Sequence, residues 1–416
     1  MTVWKEYRLK DICSYIGSGT TPKSSNSKYY DNGIYNWVNT GDLNNGIVST
    51  SKQQITDSAL KDYPTLRFYP KGTIIEAMYG ATIGKVGMLG MNATVNQACC
   101  AMIVDRNKAI PNFVLYYLVY YKPQLLKESF GGTQPNVNQF KVSNIAISIP
   151  SREDQQRIIS YLDTKLSEID HQVSLLTSKR DAYLRLKKSI INHAVTRGLD
   201  PNVKMKDSGI EWIGEVPEHW EMCRFKDAFR RWTTGITPDS KNYKYFESDI
   251  CKGYTWVTIS DFLEKYISQS NLNLSDESIK LFMPPLSLKG SLMFSFKLSV
   301  GKIAFADKDL YTNEAIVSIP PNNGQCLEYY YYMLPNVLHE NATENIYGAK
   351  MLNQKIIANM LMVVPPLPEQ RVIATYLDDK CAKIDTIVSN LNKQISRYAD
   401  LKRSLIDEVI TGKRAV

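Results

Sequence analysis

From residue 151 onward the apolar positions fall in alternating steps of three and four: Ile158, Leu162, Leu166, Ile169, Val173, Leu176, then Tyr183, Leu186, Ile190 and Ala194. That spacing paints one stripe along a helix, and over this length it is the seam of a coiled coil. A second run keeps the same steps: Ile373, Leu377, Cys381, Ile384, Val388, Leu391, Ile395, Tyr398, Leu401, Leu405 and Val409. Ser151, with Asp154 three residues on, predicts an N-cap close to a capping box, and Pro150 stands just outside it. Gly198 and Pro201 stop the first helix, and the second runs into Gly412. A helix of about 40 residues is roughly 60 Å long. Arg180, which aligns with Ile395, breaks the stripe as a register device or a snorkelling side chain.

The residues ahead of each helix have a different texture. Gly72–Ile75, Ser143–Ile149 and Ser291–Phe296 read as short strands between Gly, Asn and Pro punctuation, while Pro111–Tyr121 and Leu327–Leu334 read as short aromatic-rich helices. The expected order is a globular α+β domain over 1–150, a helix over 151–198 and a polar connector over 199–219. A second α+β domain over 220–364 and a second helix over 365–416 follow. The connector is long enough for the second helix to fold back antiparallel on the first.

The chain repeats itself. A shift of 215, the difference between Tyr161 and Tyr376, superposes Tyr161-Leu162-Asp163 on Tyr376-Leu377-Asp378, Ile169-Asp170 on Ile384-Asp385 and Leu186-Lys187 on Leu401-Lys402 without a gap. A nearly equal shift pairs Gly19-Thr20-Thr21-Pro22 with Gly235-Ile236-Thr237-Pro238 and Gly84-Lys85 with Gly301-Lys302. A period this long is a duplicated domain and helix, neither a solenoid nor a propeller unit. A pseudo-two-fold molecule suits a ligand that comes in two halves.

Composition narrows the chemistry. The 416 residues carry seven cysteines and four histidines, with no paired C-x-x-C spacing, which argues against a disulfide framework and a zinc site and fits a reduced, cytoplasmic setting. No apolar run is long enough for a membrane span and the start lacks a signal segment. A net charge of +8 is a mild pointer to a polyanion. Gly80-Ala81-Thr82-Ile83-Gly84-Lys85 fails as a nucleotide loop: its glycines are one residue too close, and Val86 stands where Ser or Thr would ligate magnesium. Neither an adenine-methyltransferase Asn/Asp-Pro-Pro-Tyr segment nor a Gly-rich cofactor loop after a strand occurs, so no catalytic residue, metal or cofactor is assigned to this chain.

The candidates for nucleic-acid contact come in matched pairs of segments. Lysine and tyrosine interleave at Lys23, Lys28 and Tyr29 and again at Lys241, Tyr243 and Lys244, a mixture that grips phosphates and touches bases. Lys85 and Lys302 are candidates for phosphate. Thr133, Gln134 and Asn136 in one polar loop, and Lys350 and Asn353 in its partner, offer amides that can pair with adenine and a cation for the backbone. In each case the plain alternative is a solvated or structural turn. The basic run Lys179–Lys188 is the wet face of a helix or, alternatively, a docking or DNA-facing surface beneath the spacer, and Cys99-Cys100 is a buried strand pair.

The proline-led helix openings at Pro150 and Pro365-Pro366-Leu367-Pro368-Glu369-Gln370-Arg371, the segment Gly209-Ile210-Glu211-Trp212-Ile213-Gly214-Glu215-Val216-Pro217-Glu218-His219-Trp220, and the duplicated Trp4 and Trp220 carry a resemblance. Together they resemble the specificity subunits of type I restriction-modification systems. The resemblance implies two tandem target-recognition domains, each followed by a long helix, with the helices paired as an antiparallel coiled coil. It implies a non-catalytic subunit that reads an asymmetric, bipartite target in double-stranded DNA. Two methyltransferase subunits would bring S-adenosylmethionine and methylate N6 of adenine, and two translocase-nuclease subunits would bring ATP and magnesium. Rival readings are a stand-alone DNA-cleaving enzyme with its own recognition domains and a coiled-coil scaffold that binds protein only.

Overall fold

The computed structural model describes residues 4–128, 136–247, 249, 252–297, 299–322, 324–344 and 350–416. They form two units, one of residues 1–178 with 391–416 and one of residues 179–390. The expected long helices are present as Arg152–Arg197 and Leu367–Ile410, and each contributes to both units.

The main sheets of the two units share one topology. In the first, strands run in the order Cys13–Ser18, Cys99–Val104, Ile74–Ala77, Val86–Leu89 and Ile47–Val48, antiparallel until the last, which is parallel to its neighbour. In the second, Thr233–Thr234, Ile316–Ile319, Leu292–Ser295, Ile303–Ala306 and Tyr266–Ile267 follow the same order and directions. The strand that leads into each long helix pairs with the strand that opens its unit's globular part. These pairs are Ala146–Ile149 with Lys5–Arg8 and Leu361–Val364 with Glu221–Arg224.

Each unit has a main core in which parts of both long helices meet. In the first, Ile158, Leu162, Leu166 and Ile169 pack with Leu405, Ile406, Val409 and Ile410 and with the aromatic helix Pro111–Glu128. In the second, Ala194 and Val195 pack with Ile373, Leu377 and Cys381 and with the helix Leu327–Asn341. The start of one long helix thus lies beside the end of the other in both units, which is antiparallel pairing. Burial of a large aliphatic side chain contributes roughly 1.5–3 kcal/mol, so each of these seam residues adds to the hold between the helices.

Several boundaries differ from expectation. Ser143 ends a short helix, Gln139–Ser143, capped by Asn138, so the strand starts only at Ala146. The aromatic helices run to Glu128 and Asn341, through Pro123 and Pro335. Burial of Leu125 in one and of Val337 and Leu338 in the other continues the apolar face past each proline, against a proline cost of about 3 kcal/mol. The connector is no loose tether. Met205–Asp207 and Glu215–Pro217 form a hairpin whose Ile213 and Val216, with the adjoining Trp220, enter the second unit's core.

Candidate nucleic-acid interface

The repeated residues are the ones that join each globular part to the helices. Asp163 and Asp378 accept hydrogen bonds from Tyr116 and Tyr332 of the two aromatic helices, each at 2.5 Å. Burial, then the carboxylate, pushes both phenols up, so they remain donors. Asp378 also takes the Lys265 ammonium at 2.5 Å. Buried Gln155 accepts from the Ile110 amide and donates to the Pro150 carbonyl; Gln370 does the same with Cys326 and Pro365. Each glutamine thereby fixes the start of a long helix against the start of an aromatic one.

The duplicated tryptophans have a matching role. Trp220 donates its indole N–H to Glu369 Oε2 at 3.0 Å, which also contacts His219 Nε2 at 2.8 Å. A Cβ on Gly198, whose φ is +74°, would lie 3.2 Å from the Trp220 ring. Gly412, at the same φ, would meet Trp4 at 3.1 Å. Each helix therefore ends in a left-handed glycine received by a tryptophan that opens a globular module, and the last helix ends on the first module.

Two ion pairs cross between the helices. Asp170 takes Lys402 at 2.8 Å in the first unit and Asp385 takes Lys187 at 2.7 Å in the second. The two are related by the repeat, and the residue numbers of each pair add to the same total, as antiparallel helices require. Along the seam Ile158, Leu162, Leu166, Ile169, Ile373, Leu377, Ile384 and Leu391 are buried, whereas Val173, Leu176, Tyr183, Val388 and Tyr398 are only half-buried. Arg180 pairs with its neighbour Asp181.

The proposed contact residues divide by the freedom of their side chains. Lys28 and Tyr29 both bind Asp62, at 3.0 and 3.2 Å. Lys302 donates to the Ile259 carbonyl at 3.1 Å, and Lys350 to the His339 carbonyl at 3.5 Å. Asn353 caps the helix Gln354–Asn359, as Asn138 does its counterpart, and Asn136 bridges to Tyr79. Lys85 is half-buried near Lys122, whose ammonium is held below its usual range by burial and then by Lys85. Lys23, Lys241 and Lys244 are exposed with no carboxylate paired to them among the described residues, and Tyr243 is 87% exposed. Thr133 and Gln134 lie outside the described residues.

The equivalent segments fold alike. Asn26 and Asn242 cap the turns Ser27–Tyr29 and Tyr243–Tyr245. The Trp37 and Trp256 indoles donate to the Thr20 and Ile236 carbonyls of the repeated Gly-x-Thr-Pro, where a Cβ on Gly19 or Gly235 would strike backbone at 2.0 or 1.8 Å. That motif is architectural, while the Lys and Tyr side chains it carries differ between modules. Tyr116, Tyr332, Gln155 and Gln370 escaped the sequence reading as joint residues, although the shift of 215 aligns the two glutamines and a shift one residue longer the two tyrosines. Cys99 and Cys100 are fully buried as expected, and burial pushes the Cys99 thiol up to about 12. Among the described residues no three His, Cys, Asp or Glu side chains are grouped to hold a metal, and no helix is long and apolar enough to cross a membrane.

A family model described as the type I restriction modification DNA specificity domain matches residues 1–175 and 217–397. The chain is 22% identical to the type I restriction enzyme MjaVIII specificity subunit of Methanocaldococcus jannaschii, over 99% of this chain and 92% of the relative. A chain in a solved structure of a type I R-M system is similar in fold with a TM-score of 0.72, at 16% identity, over 98% of this chain and 97% of that one. The HsdS subunit from Thermoanaerobacter tengcongensis aligns with a TM-score of 0.50 at 16% identity, over 99% and 97%. With two matched regions coinciding with two copies of one topology, the chain belongs to the family of type I restriction-modification DNA specificity subunits.

Proposed function

We propose that this chain is the non-catalytic reader of an asymmetric, split DNA target. Each globular module reads one half-site, and the paired helices dock two methyltransferase subunits. The partners supply the chemistry: S-adenosylmethionine and methyl transfer to adenine N6 from the methyltransferases, ATP and magnesium from two translocase-nuclease subunits. The observation that carries the reading is duplication with divergence. The centre of each joint is kept, as in Asp163 and Asp378 or Gln155 and Gln370, while the side chains on the turns differ. Lys28 is bound to Asp62, whereas its counterpart Lys244 is exposed with no carboxylate paired to it among the described residues, and an exposed Tyr243 stands where the first turn has Ser27. Matching joints with different reading surfaces suit two different half-sites.

Co-expression with the methyltransferase subunit, followed by mapping of methylated adenines, tests this. The expected result is one motif in two unlike parts separated by an unspecified gap. A continuous motif, or DNA cleavage by the purified chain alone, would overturn it.

A further inference from the structure

Beside the 179–390 unit's globular part, the end of the first long helix carries a trough of about 450 Å³ lined by Arg185, Lys188, Ser189, Asn192, His193 and Arg197 among others. Every lining side chain ends in a hydrogen-bond donor, and none is a carboxylate or wholly apolar. Among the described residues no acid pairs with Arg185, Lys188 or Arg197, although their neighbours Lys187 and Arg180 are both paired. Asn336 Nδ2 donates to Asn192 Oδ1 at 2.7 Å, so the helix Leu327–Asn341 borders the trough. The positive field reaches further. His339 is held below its usual range by burial and then by Lys350, with Glu340 pulling the other way and Lys188 adding a smaller push.

The repeat supplies an internal control. The shift that maps the helices places Asp400 at Arg185, Arg403 at Lys188, Asp407 at Asn192 and Glu408 at His193. There the charges cancel locally, Arg403 with Asp400 at 3.7 Å, Lys413 with Asp407 at 3.7 Å and Arg414 with Glu408 at 3.4 Å. One helix end is neutralised and its twin is left bare.

Resting on the DNA-reading function above, we infer that this trough is a DNA-backbone site, in which Arg185, Lys188 and Arg197 bind phosphates through charge-assisted hydrogen bonds. A protein partner would be expected to find an apolar anchor at the centre of its site, and this trough has none. Arg185 to Arg197 spans about 18 Å of helix, matching at most about five phosphate steps along one strand. Such contacts position the duplex and carry no sequence information. Because the twin surface is neutral, the two halves of the chain hold DNA unequally.

The test uses the complete complex with its methyltransferase subunits, a duplex bearing the mapped target and a duplex lacking it, titrated across salt. The R185Q/K188Q/R197Q variant should lose about two to three from the slope of log affinity against log salt on both duplexes, at about 0.9 per phosphate. The methylated sequence should not change, and R403Q should match wild type. An unchanged slope overturns the inference. Loss of methyltransferase assembly with DNA contacts intact would assign the trough to a protein and overturn it equally. Should the triple variant misfold, K188E alone serves, with a reduced slope expected and an unchanged one contradicting. Failure of the wild-type complex to bind either duplex would instead refute the DNA-reading function itself.

Discussion

Glu76 is a carboxyl in the wrong place for stability. It lies in the strand Ile74–Ala77 between Val86 and Cys100, is wholly buried, and its Oε2 has no hydrogen-bond partner among the described residues. In the other unit the corresponding strand position, between Ile303 and Val317, is Phe294. Burial pushes the Glu76 carboxyl from its ordinary 4.5 up to about 8. The folded protein therefore holds a proton that the unfolded chain releases. Native stability is greatest below about pH 4.5 as far as this group is concerned, and it falls as pH rises until the folded group ionises near 8. At about 1.4 kcal/mol per pH unit the penalty is about 4 kcal/mol at pH 7.5. Replacing Glu76 by Met, which fills a similar volume without a charge, removes it. Urea denaturation of the full chain at pH 5 and pH 7.5, with amide exchange in Ile74–Ala77 and Cys99–Val104 to localise the change, measures the gain. E76M should be stabilised by several kcal/mol at pH 7.5 and by much less at pH 5. Glu76→Gln should lose the pH dependence yet gain less, because its amide stays unpaired. Parallel stability curves for wild type and E76M between pH 5 and 8 would refute the argument.

Inserting one heptad after Val173 and another after Val388 keeps the apolar register and adds about 10 Å to the helix pair; methylation mapping should show a gap up to three base pairs longer with both half-sites unchanged. Gly198→Ala should cost about 1–2 kcal/mol in denaturation for its left-handed backbone, and more for its contact with Trp220. Gly209→Ala, with a similar φ of +70° but nothing within 4 Å, should show the backbone cost alone. Reversing both helix ion pairs at once, with Asp170 and Asp385 made Lys and Lys187 and Lys402 made Asp, should restore most of what either half-reversal loses. Thermal denaturation of the three variants checks this.

The long helices were legible because their signal is local: threes and fours, a serine at one end and a glycine at the other. The repeat exposed Trp4, Trp220 and the Tyr-Leu-Asp triplets, but their roles needed partners far along the chain, such as Tyr116 for Asp163 and Gly412 for Trp4. Sequence spacing does not show which candidate contact residues already have partners within the chain. Nothing near Lys28 announces Asp62, and nothing near Lys302 announces the Ile259 carbonyl that occupies its ammonium. Two-residue strands such as Ile47–Val48 exist only through their neighbours, so no periodicity could reveal them. In the sequence the trough's first residues belong to a basic run, and only the fold shows that no acid lies against Arg185 and Lys188 among the described residues.

If each module reads its own half-site through a joint that the repeat makes interchangeable, a half-length chain should pair with a second copy of itself. A chain ending at Pro201 keeps one module and one helix but lacks Leu405, Ile406, Val409 and Ile410 from its core. The repeat supplies Ile190, Ile191, Ala194 and Val195 of a second copy at those positions. With methyltransferase present, mapping of methylated adenines should then reveal a symmetric target made of two inverted copies of the first half-site. A monomeric half-chain, or methylation that still includes the second half-site, would contradict the account.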